Sequence, residues 1–309
     1  MRIVLGLAHW AFVLLMPILM IGVINRVKSW WAARKGPGLV QFAYDLRRLL
    51  GKRTVVSDTA TPLFRAGAYV VLLAGFFAAA MAPMLGRFAP LQFSHDFIVV
   101  AYTMGLARIA LMLSAMDVGS SFEGMGTARE ASFSAFAEPA LFLLIGTAGV
   151  ATGMTSFADL IGALRETQHY AVIAAPLVVA LLILLQAEAA RVPVDDPLTH
   201  LELTMIHEAM LLEYSGRYLG LMMWAAQVKQ LVVLNLFISL FFPWGIAGGL
   251  AEAGIAGAVL LYLLKLALLS AILAVVETLY AKVRLFKVPP LLSSSMALSV
   301  LVIILRIVM

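Results

Sequence analysis

Residues 170–208, YAVIAAPLVVALLILLQAEAARVPVDDPLTHLELTMIHE, join a long apolar run to a dense cluster of charge. The first part, 170–190, contains one charged residue, Glu188, and has the length of roughly 20 residues that a helix needs to cross a bilayer. The second part, 191–208, contains two Asp, two Glu, two His and one Arg, too many polar groups to remain in hydrocarbon. The stretch therefore predicts a transmembrane helix followed by a polar loop.

The composition extends this prediction to the whole chain. Only 13% of the 309 residues are charged, and the mean hydropathy is +1.00, whereas about 25% of residues are charged in soluble proteins. We expect an all-α polytopic membrane protein with a single domain, 1–309, because the short alternating segments of a β-barrel are missing. Its about eight transmembrane helices are predicted at 3–25, 66–86, 96–116, 138–160, 170–190, 217–242, 254–279 and 291–309.

The segment 26–65 between the first two spans is too charged to cross a membrane, yet it is rich in Trp, Phe and Leu. A Gly36-Pro37-Gly38 turn precedes its apolar and basic residues. We therefore predict an amphipathic helix near 38–50 that lies at the membrane interface, because such a helix buries one apolar face and leaves basic side chains in water.

The distribution of basic residues predicts the orientation. Fifteen of the 22 Lys and Arg residues lie in 26–65, 117–137, 191–217 and 280–290, which fall on one side of the predicted bundle. Four lie on the other side and three lie within spans. Since Lys and Arg concentrate in cytoplasmic loops, we expect the loops 117–137 and 191–216 in the cytoplasm and both termini outside. The basic character thus reflects topology, and a nucleic-acid partner is not expected.

Acidic residues concentrate in the two cytoplasmic connections, and two of them, Glu138 and Glu188, lie inside or at the edge of apolar spans. An ionisable residue at such depth is costly to bury, so it faces the bundle interior or a watered cavity and suggests an ion or proton path. The alternative is an interfacial helix end whose carboxylate pairs with Arg129 or Arg191. Both interpretations stay open at this point.

The longer connection contains a helix-start signal, Asp196 followed by Pro197, which predicts a helix from about 197 to 213. At 100° per residue, one face of that helix carries His200, Thr204, His207 and Glu208, and the opposite face carries Glu202 and Glu213. The two His residues are separated by two turns, about 10 Å, which is too far for one metal ion to bind both. A partner-binding or proton-relay role is favoured instead.

Buried basic residues have two interpretations as well. Lys229 and Lys265 lie well inside predicted spans, Glu277 lies near the end of one, and Arg108 lies nine residues before Asp117. Each buried cation either carries protons or neutralises a nearby acid.

The chain has no cysteine, so any cysteine-ligated iron–sulfur cluster belongs to another subunit.

Three segments and the span count together resemble the NADH dehydrogenase subunit 1 family, the membrane subunit shared by energy-converting hydrogenases and respiratory complex I. The segments are RKGPGLVQFAYDLRRLL, the element from Gly126 through Arg129 to Glu138, and AEAARVPVDDPLTHLELTMIHEAMLLEYSG. The THLELTMIHE portion is most similar to the branch found in group 4 nickel–iron hydrogenases of the formate hydrogenlyase and hydrogenase-4 type. The quinone-reducing branch is more acidic there.

The resemblance implies a non-catalytic subunit of an oxidoreductase complex in the prokaryotic inner membrane. Its partners would be a hydrogenase-type large subunit, iron–sulfur subunits and antiporter-like membrane subunits, with the nickel–iron centre and the clusters in those partners and no cofactor on this chain. The subunit would seat the peripheral electron-transfer arm and couple its redox turnover to proton or ion movement. The alternatives are a quinone-binding subunit, with the quinone behind residues 34–41, and a free-standing transporter.

The resemblance, together with the buried lysines, gives a list of candidate site residues. The expected coupling residues are Glu138, Glu188, Asp195, Glu202, Glu213, Glu123, Glu130, Lys229 and Lys265. The expected charge partners are Arg129 and Arg191. The residues expected to dock the arm are Asp196, His200, His207 and Glu208.

Overall fold

The computed structural model describes residues 2–84, 86–153, 155–161, 170–195, 205–242 and 250–308, and within these ranges it contains helices and no β-strand. The helices are α1 (Arg2–Trp31), α2 (Gln41–Gly51), α3 (Pro62–Met81), α4 (Asp96–Asp117), α5 (Ser121–Thr152), α6 (Phe157–Leu160), α7 (Tyr170–Glu188), α8 (Gly216–Phe241), α9 (Leu250–Leu279) and α10 (Val288–Val308).

The membrane-spanning architecture is confirmed. Within the described ranges, seven helices are long and apolar enough to cross a membrane: α1, α3, α4, α5, α8, α9 and α10. Helix α7 has 19 residues, which is within the range of about 17 to 25 that a span requires. These eight helices correspond one to one with the eight predicted spans.

The prediction that 117–137 form a loop is wrong, because α5 begins at Ser121 and continues for 32 residues. Hydropathy marked only the apolar second half of this helix. Its polar first half is still amphipathic, since Glu123, Thr127, Phe133 and Ala137 are buried at helical spacing. Helix α5 therefore extends well beyond the apolar layer and carries acidic residues on a rigid element.

Helix α2 confirms the amphipathic prediction, with a start at Gln41 rather than near 38. It buries Phe42 and Leu46 against the bundle, and a Cβ added at Gly220 of α8 would lie 3.2 Å from the Cβ of Leu49. A Cβ at Gly22 of α1 would clash with the backbone of Leu39. Helix α2 therefore packs closely against α8, and the turn before it packs closely against α1.

The α-helix predicted at 197–213 is not observed in the part of this segment that the structure describes. Residues 196–204 lie outside the described ranges, and 205–213 contain one 3₁₀ turn, Glu208–Leu211. The backbone amide of His207 donates to Asp195 (3.0 Å) and that of Glu213 donates to Glu123 (3.1 Å). These amides bind side chains of other segments in place of the carbonyls that an α-helix would supply.

Tyr214 binds the end of this connection to α3, just before α8 begins. Its ring stacks on Phe64 of α3 with centroids 4.1 Å apart, and its hydroxyl donates to the carbonyl of Phe64 (3.0 Å). Burial raises the pKa of Tyr214 to about 12, since the charged phenolate would be desolvated there. The connection is therefore anchored at Asp195, at Glu123 and at Tyr214.

Candidate functional site

Arg108 of α4 lies at the centre of a buried group of charged side chains. Its Nη1 donates to Glu138 (2.9 Å), its Nη2 donates to Glu188 (2.6 Å), and its Nε lies 2.9 Å from Glu130. The Nζ of Lys229 on α8 lies 2.7 Å from the second carboxylate oxygen of Glu188. We call these five residues the Arg108 cluster.

Four helices supply the Arg108 cluster. Glu130 and Glu138 are eight residues apart on α5, and Glu188 is the last residue of α7. Arginine suits the centre because its planar guanidinium presents five N–H donors in fixed directions. Arg108 joins α4 to α5 and α7, and Glu188 extends the connection to Lys229 of α8. A change in one carboxylate therefore alters the interactions of the others.

The members of the Arg108 cluster differ in their access to solvent. The side chains of Arg108 and Glu188 are 4% and 1% exposed, whereas those of Glu130 and Glu138 are 21% and 37% exposed. Three carboxylates share two cations, so the cluster has one surplus acid. If one of these carboxylates is neutralised, Arg108 keeps the others as partners.

A cavity of about 370 Å³ adjoins the cluster. Arg108, Glu130, Glu188 and Lys229 contribute to its wall, and the rest of the wall is largely apolar, including Met104, Leu111, Met222 and Val232. Pro37, Gly38 and Gln41 border it, so a cavity exists behind the 34–41 segment as the quinone interpretation expects. The charged cluster and the amphipathic α2 thus border the same space.

A second group of ion pairs borders the same cavity. Glu277 of α9 is 1% exposed at its side chain and contacts Lys28 of α1 (2.7 Å) and Arg191 (3.4 Å). Arg191 also donates to Gln230 of α8 (3.1 Å). We call these four residues the Glu277 cluster. Lys28 and Arg191 line the cavity, so Glu277 holds two cations in its wall.

The polar loop contributes further pairs near the cavity. Asp195 contacts Lys282 (2.8 Å) and accepts from the amide of His207, and Arg129 donates to the carbonyl of Met205 (2.6 Å). His207 and Glu208 are half-buried and line the cavity. These two residues therefore border the cavity wall, although the sequence suggested that they dock a partner.

The structure brings some of the predicted residues together and separates others. Glu130, Glu138 and Glu188 meet at Arg108, and Lys229 joins them through Glu188. Glu213 is exposed and donates its backbone amide to Glu123. Lys265 donates to the carbonyl of Phe242 (2.6 Å), away from that cluster. Asp196, His200 and Glu202 lie outside the described residues.

Two central residues, Arg108 and Glu277, were noted in the sequence as buried charges but were not among the candidate site residues. The pairing of Glu138 and Glu188 with Arg129 or Arg191 is wrong: their partner is Arg108, and Arg191 pairs with Glu277. Arg108 lies in the interior of the predicted span 96–116, where an arginine is costly to bury without acids nearby. That cost was the available signal.

The described residues contain no group of three or more His, Asp or Glu side chains arranged to hold a metal ion. The Arg108 cluster and the Glu277 cluster both show charge pairing between carboxylates and basic side chains. Both clusters border a cavity large enough for a small molecule or for several waters.

Comparison with known proteins gives a consistent picture. Residues 4–308 match the NADH dehydrogenase family. Formate hydrogenlyase subunit 4 of Escherichia coli (strain K12) is 30% identical over 272 residues, which cover 86% of each chain. Hydrogenase-4 component C of the same organism is 27% identical over 287 residues, 91% of this chain and 89% of that protein.

A solved structure has the same fold. A chain of the membrane-bound sulfane sulfur reductase, an archaeal respiratory membrane complex, superimposes with a TM-score of 0.81 over 96% of both chains. Only 18% of residues are identical, so this likeness concerns the fold.

Proposed function

The chain belongs to the NADH dehydrogenase family, as its motifs predicted, and we propose that it is the membrane anchor and coupling subunit of a membrane-bound group 4 nickel–iron hydrogenase complex. Its curated relatives are a subunit of formate hydrogenlyase and a component of hydrogenase-4. Their names support an oxidoreductase complex as the setting in which this chain works. The chain itself supplies structure and charge, and the redox chemistry takes place in partner subunits.

The observation that carries the coupling role is the sharing of Arg108 among three carboxylates at the wall of a cavity. Turnover in a docked arm changes the charge near the polar loop. That loop is tied to the bundle by Asp195 and Glu123, so its displacement alters the cavity wall. Arg108 then exchanges one carboxylate partner for another, and the released carboxylate binds a proton.

The docking role follows from the same loops. In this proposal the polar ends of α5 and the 191–216 connection face the cytoplasm and both termini face outside, as the basic residues predict. The arm consists of a hydrogenase-type large subunit and iron–sulfur subunits, which carry the nickel–iron centre and the clusters. Antiporter-like membrane subunits lie beside this chain and continue the ion path.

Purification of the chain with its natural partners tests the assembly. The chromosomal copy is tagged and isolated in mild detergent, and the co-purifying subunits are identified by mass spectrometry. We expect a large subunit with two Cys-x-x-Cys pairs, the nickel ligands of a hydrogenase. A large subunit without these cysteines would contradict the hydrogenase assignment, and a solitary protein without iron-containing partners would contradict the anchoring role altogether.

A quinone-binding subunit is the second candidate function. The cavity of about 370 Å³ behind the 34–41 segment favours it, since most of the residues that line it are apolar and eight are charged. Sites for small ligands likewise combine an apolar wall with polar groups that orient the ligand. Photo-crosslinking with an azido-quinone tests this candidate. Labelling of the cavity-lining α2 residues supports it, and labelling that excess quinone does not displace contradicts it.

A further inference from the structure

The end of α1 and the turn after it form an unusually basic segment. Residues 26–40 contain four cations, Arg26, Lys28, Arg34 and Lys35, and no acidic residue. Lys28 is paired with Glu277. Arg26, Arg34 and Lys35 are exposed and make no ion pair within the part of the chain that the structure describes. Three cations are thus available to an external anion.

The backbone brings these three cations to one place. The amide of Arg34 donates to the carbonyl of Ser29 (2.8 Å), which turns the chain back at the end of the helix. A Cβ added at Gly36 would lie 2.9 Å from the Cβ of Ser29 and 3.2 Å from the Cα of Arg26. The returning chain is therefore packed on α1, and Arg34 and Lys35 lie next to the turn that carries Arg26.

Exposed indole rings accompany the cations. Trp30 and Trp31 are 65% and 58% exposed, and the guanidinium carbon of Arg26 lies 5.6 Å from the ring centroid of Trp30. Tryptophan concentrates at membrane–water interfaces, where its apolar ring and polar N–H are both accommodated. The combination of indoles with unpaired cations indicates an interfacial environment rather than open water.

The length of α1 places this segment at the level of the lipid headgroups. Its 30 residues extend about 45 Å at a rise of 1.5 Å per residue, whereas the hydrocarbon core is about 30 Å thick. Residues 3–25 contain no Asp, Glu, Lys or Arg and fill that core. Arg26 is the first charged residue to emerge, and Trp30 follows one turn later.

We propose that Arg26, Trp30, Trp31, Arg34 and Lys35 form a binding site for the headgroup of an anionic phospholipid. The phosphodiester accepts hydrogen bonds from the guanidinium groups of Arg26 and Arg34. The indoles lie against the glycerol region, and the acyl chains follow the apolar surface of α1. This site is separate from the cavity, because none of the five residues lines it.

Native mass spectrometry of the purified full-length chain tests the site with phosphatidylglycerol, phosphatidylcholine and inorganic phosphate as probes. We expect phosphatidylglycerol to be retained preferentially over phosphatidylcholine, and phosphate alone to bind too weakly to be detected. In the Arg34→Gln/Lys35→Gln variant, affinity for phosphatidylglycerol falls roughly 25-fold, or about fivefold for each cation removed. Both positions are exposed, so the variant is expected to fold.

The matched control is Arg47→Gln/Arg48→Gln, an equally exposed basic pair on α2. It loses the same charge, and we expect its lipid retention to equal that of the parent chain. Equal losses in the two variants would overturn the proposal, because binding would then depend on total charge alone. Equal retention of both phospholipids, or binding of free phosphate as strong as that of the lipid, would overturn it as well.

Trp30→Leu, which keeps every charge, is expected to weaken retention of phosphatidylglycerol severalfold. Unchanged retention would contradict the role of the indole.

Discussion

The Arg108 cluster and the Glu277 cluster border the same cavity, yet acids outnumber cations in the first and cations outnumber acids in the second. In the first, three carboxylates share Arg108 and one of them, Glu188, also contacts Lys229. In the second, one carboxylate lies between Lys28 and Arg191. Two of the acids at Arg108 are partly exposed, whereas the side chain of Glu277 is 1% exposed.

This difference separates a site that keeps its counter-charge when one acid is neutralised from a site that does not. When one acid at Arg108 is neutralised, two others remain to compensate the arginine. When Glu277 is neutralised, two cations in the cavity wall lose their shared counter-charge. In the proposed function the Arg108 cluster exchanges protons, whereas the Glu277 cluster holds α1, α9 and the polar loop together.

Neutralising Glu277 is expected to have the largest effect on stability. Glu277→Gln breaks a buried pair and leaves Arg191 and Lys28 without an anion, at a cost of about 3 kcal/mol. Thermal melting of the purified chain in detergent measures the loss. A melting temperature no lower than that of Glu138→Gln would remove the distinction between the two clusters.

Glu188→Gln is expected to cost less, about 2 kcal/mol. The amide keeps the shape of the side chain and loses its charge-assisted contacts to Arg108 and Lys229, but Arg108 retains Glu130 and Glu138. The same melting experiment checks the value. If Glu188→Gln proves as damaging as Glu277→Gln, Glu130 and Glu138 do not compensate Arg108 as the structure indicates.

Asp117→Ala provides a structural control on the helix that carries Arg108. Asp117 accepts bonds from the amides of Thr61 and Phe64 and from the hydroxyl of Thr61, all at the start of α3. Its loss is expected to cost about 1 kcal/mol, as for other helix caps, without effect on proton movement. Loss of proton movement at full subunit assembly would show that α4 as a whole, rather than Arg108, is responsible.

Glu138→Gln is expected to have the smallest structural effect, below about 1 kcal/mol, because its side chain is 37% exposed and exposed pairs contribute little. Subunit composition after purification is expected to match that of the parent complex. A fall in melting temperature as large as for Glu277→Gln would mean that Glu138 is a structural residue.

The number of spans and their approximate positions could be predicted from hydropathy, because a length of about 20 apolar residues is imposed by the bilayer. The polar half of α5 could not, since it is a helix stabilised by packing of Glu123, Thr127 and Phe133 rather than by apolar composition. The 3₁₀ turn at Glu208–Leu211 also differs from the predicted helix, because distant carboxylates of Asp195 and Glu123 bind its flanking amides.

The candidate site could be predicted as a set of acids but not as a set of pairs. The burial cost of Glu138 and Glu188 was visible in the sequence. Their joint partner, Arg108, lies 30 and 80 residues away along the chain, and no local spacing links positions on three different helices. The pairing of Glu277 could not be predicted for the same reason, since its partner Lys28 is 249 residues distant.

Proton transport by the purified complex in proteoliposomes tests the central claim most directly, with hydrogenase turnover recorded in the same sample. The account predicts that Glu138→Gln keeps redox turnover and subunit composition but moves far fewer protons per electron pair. Glu213→Gln, an exposed acid outside the Arg108 cluster, is predicted to behave as the parent complex. Unchanged proton movement in Glu138→Gln, or an equal loss in both variants, would contradict the coupling role of the Arg108 cluster.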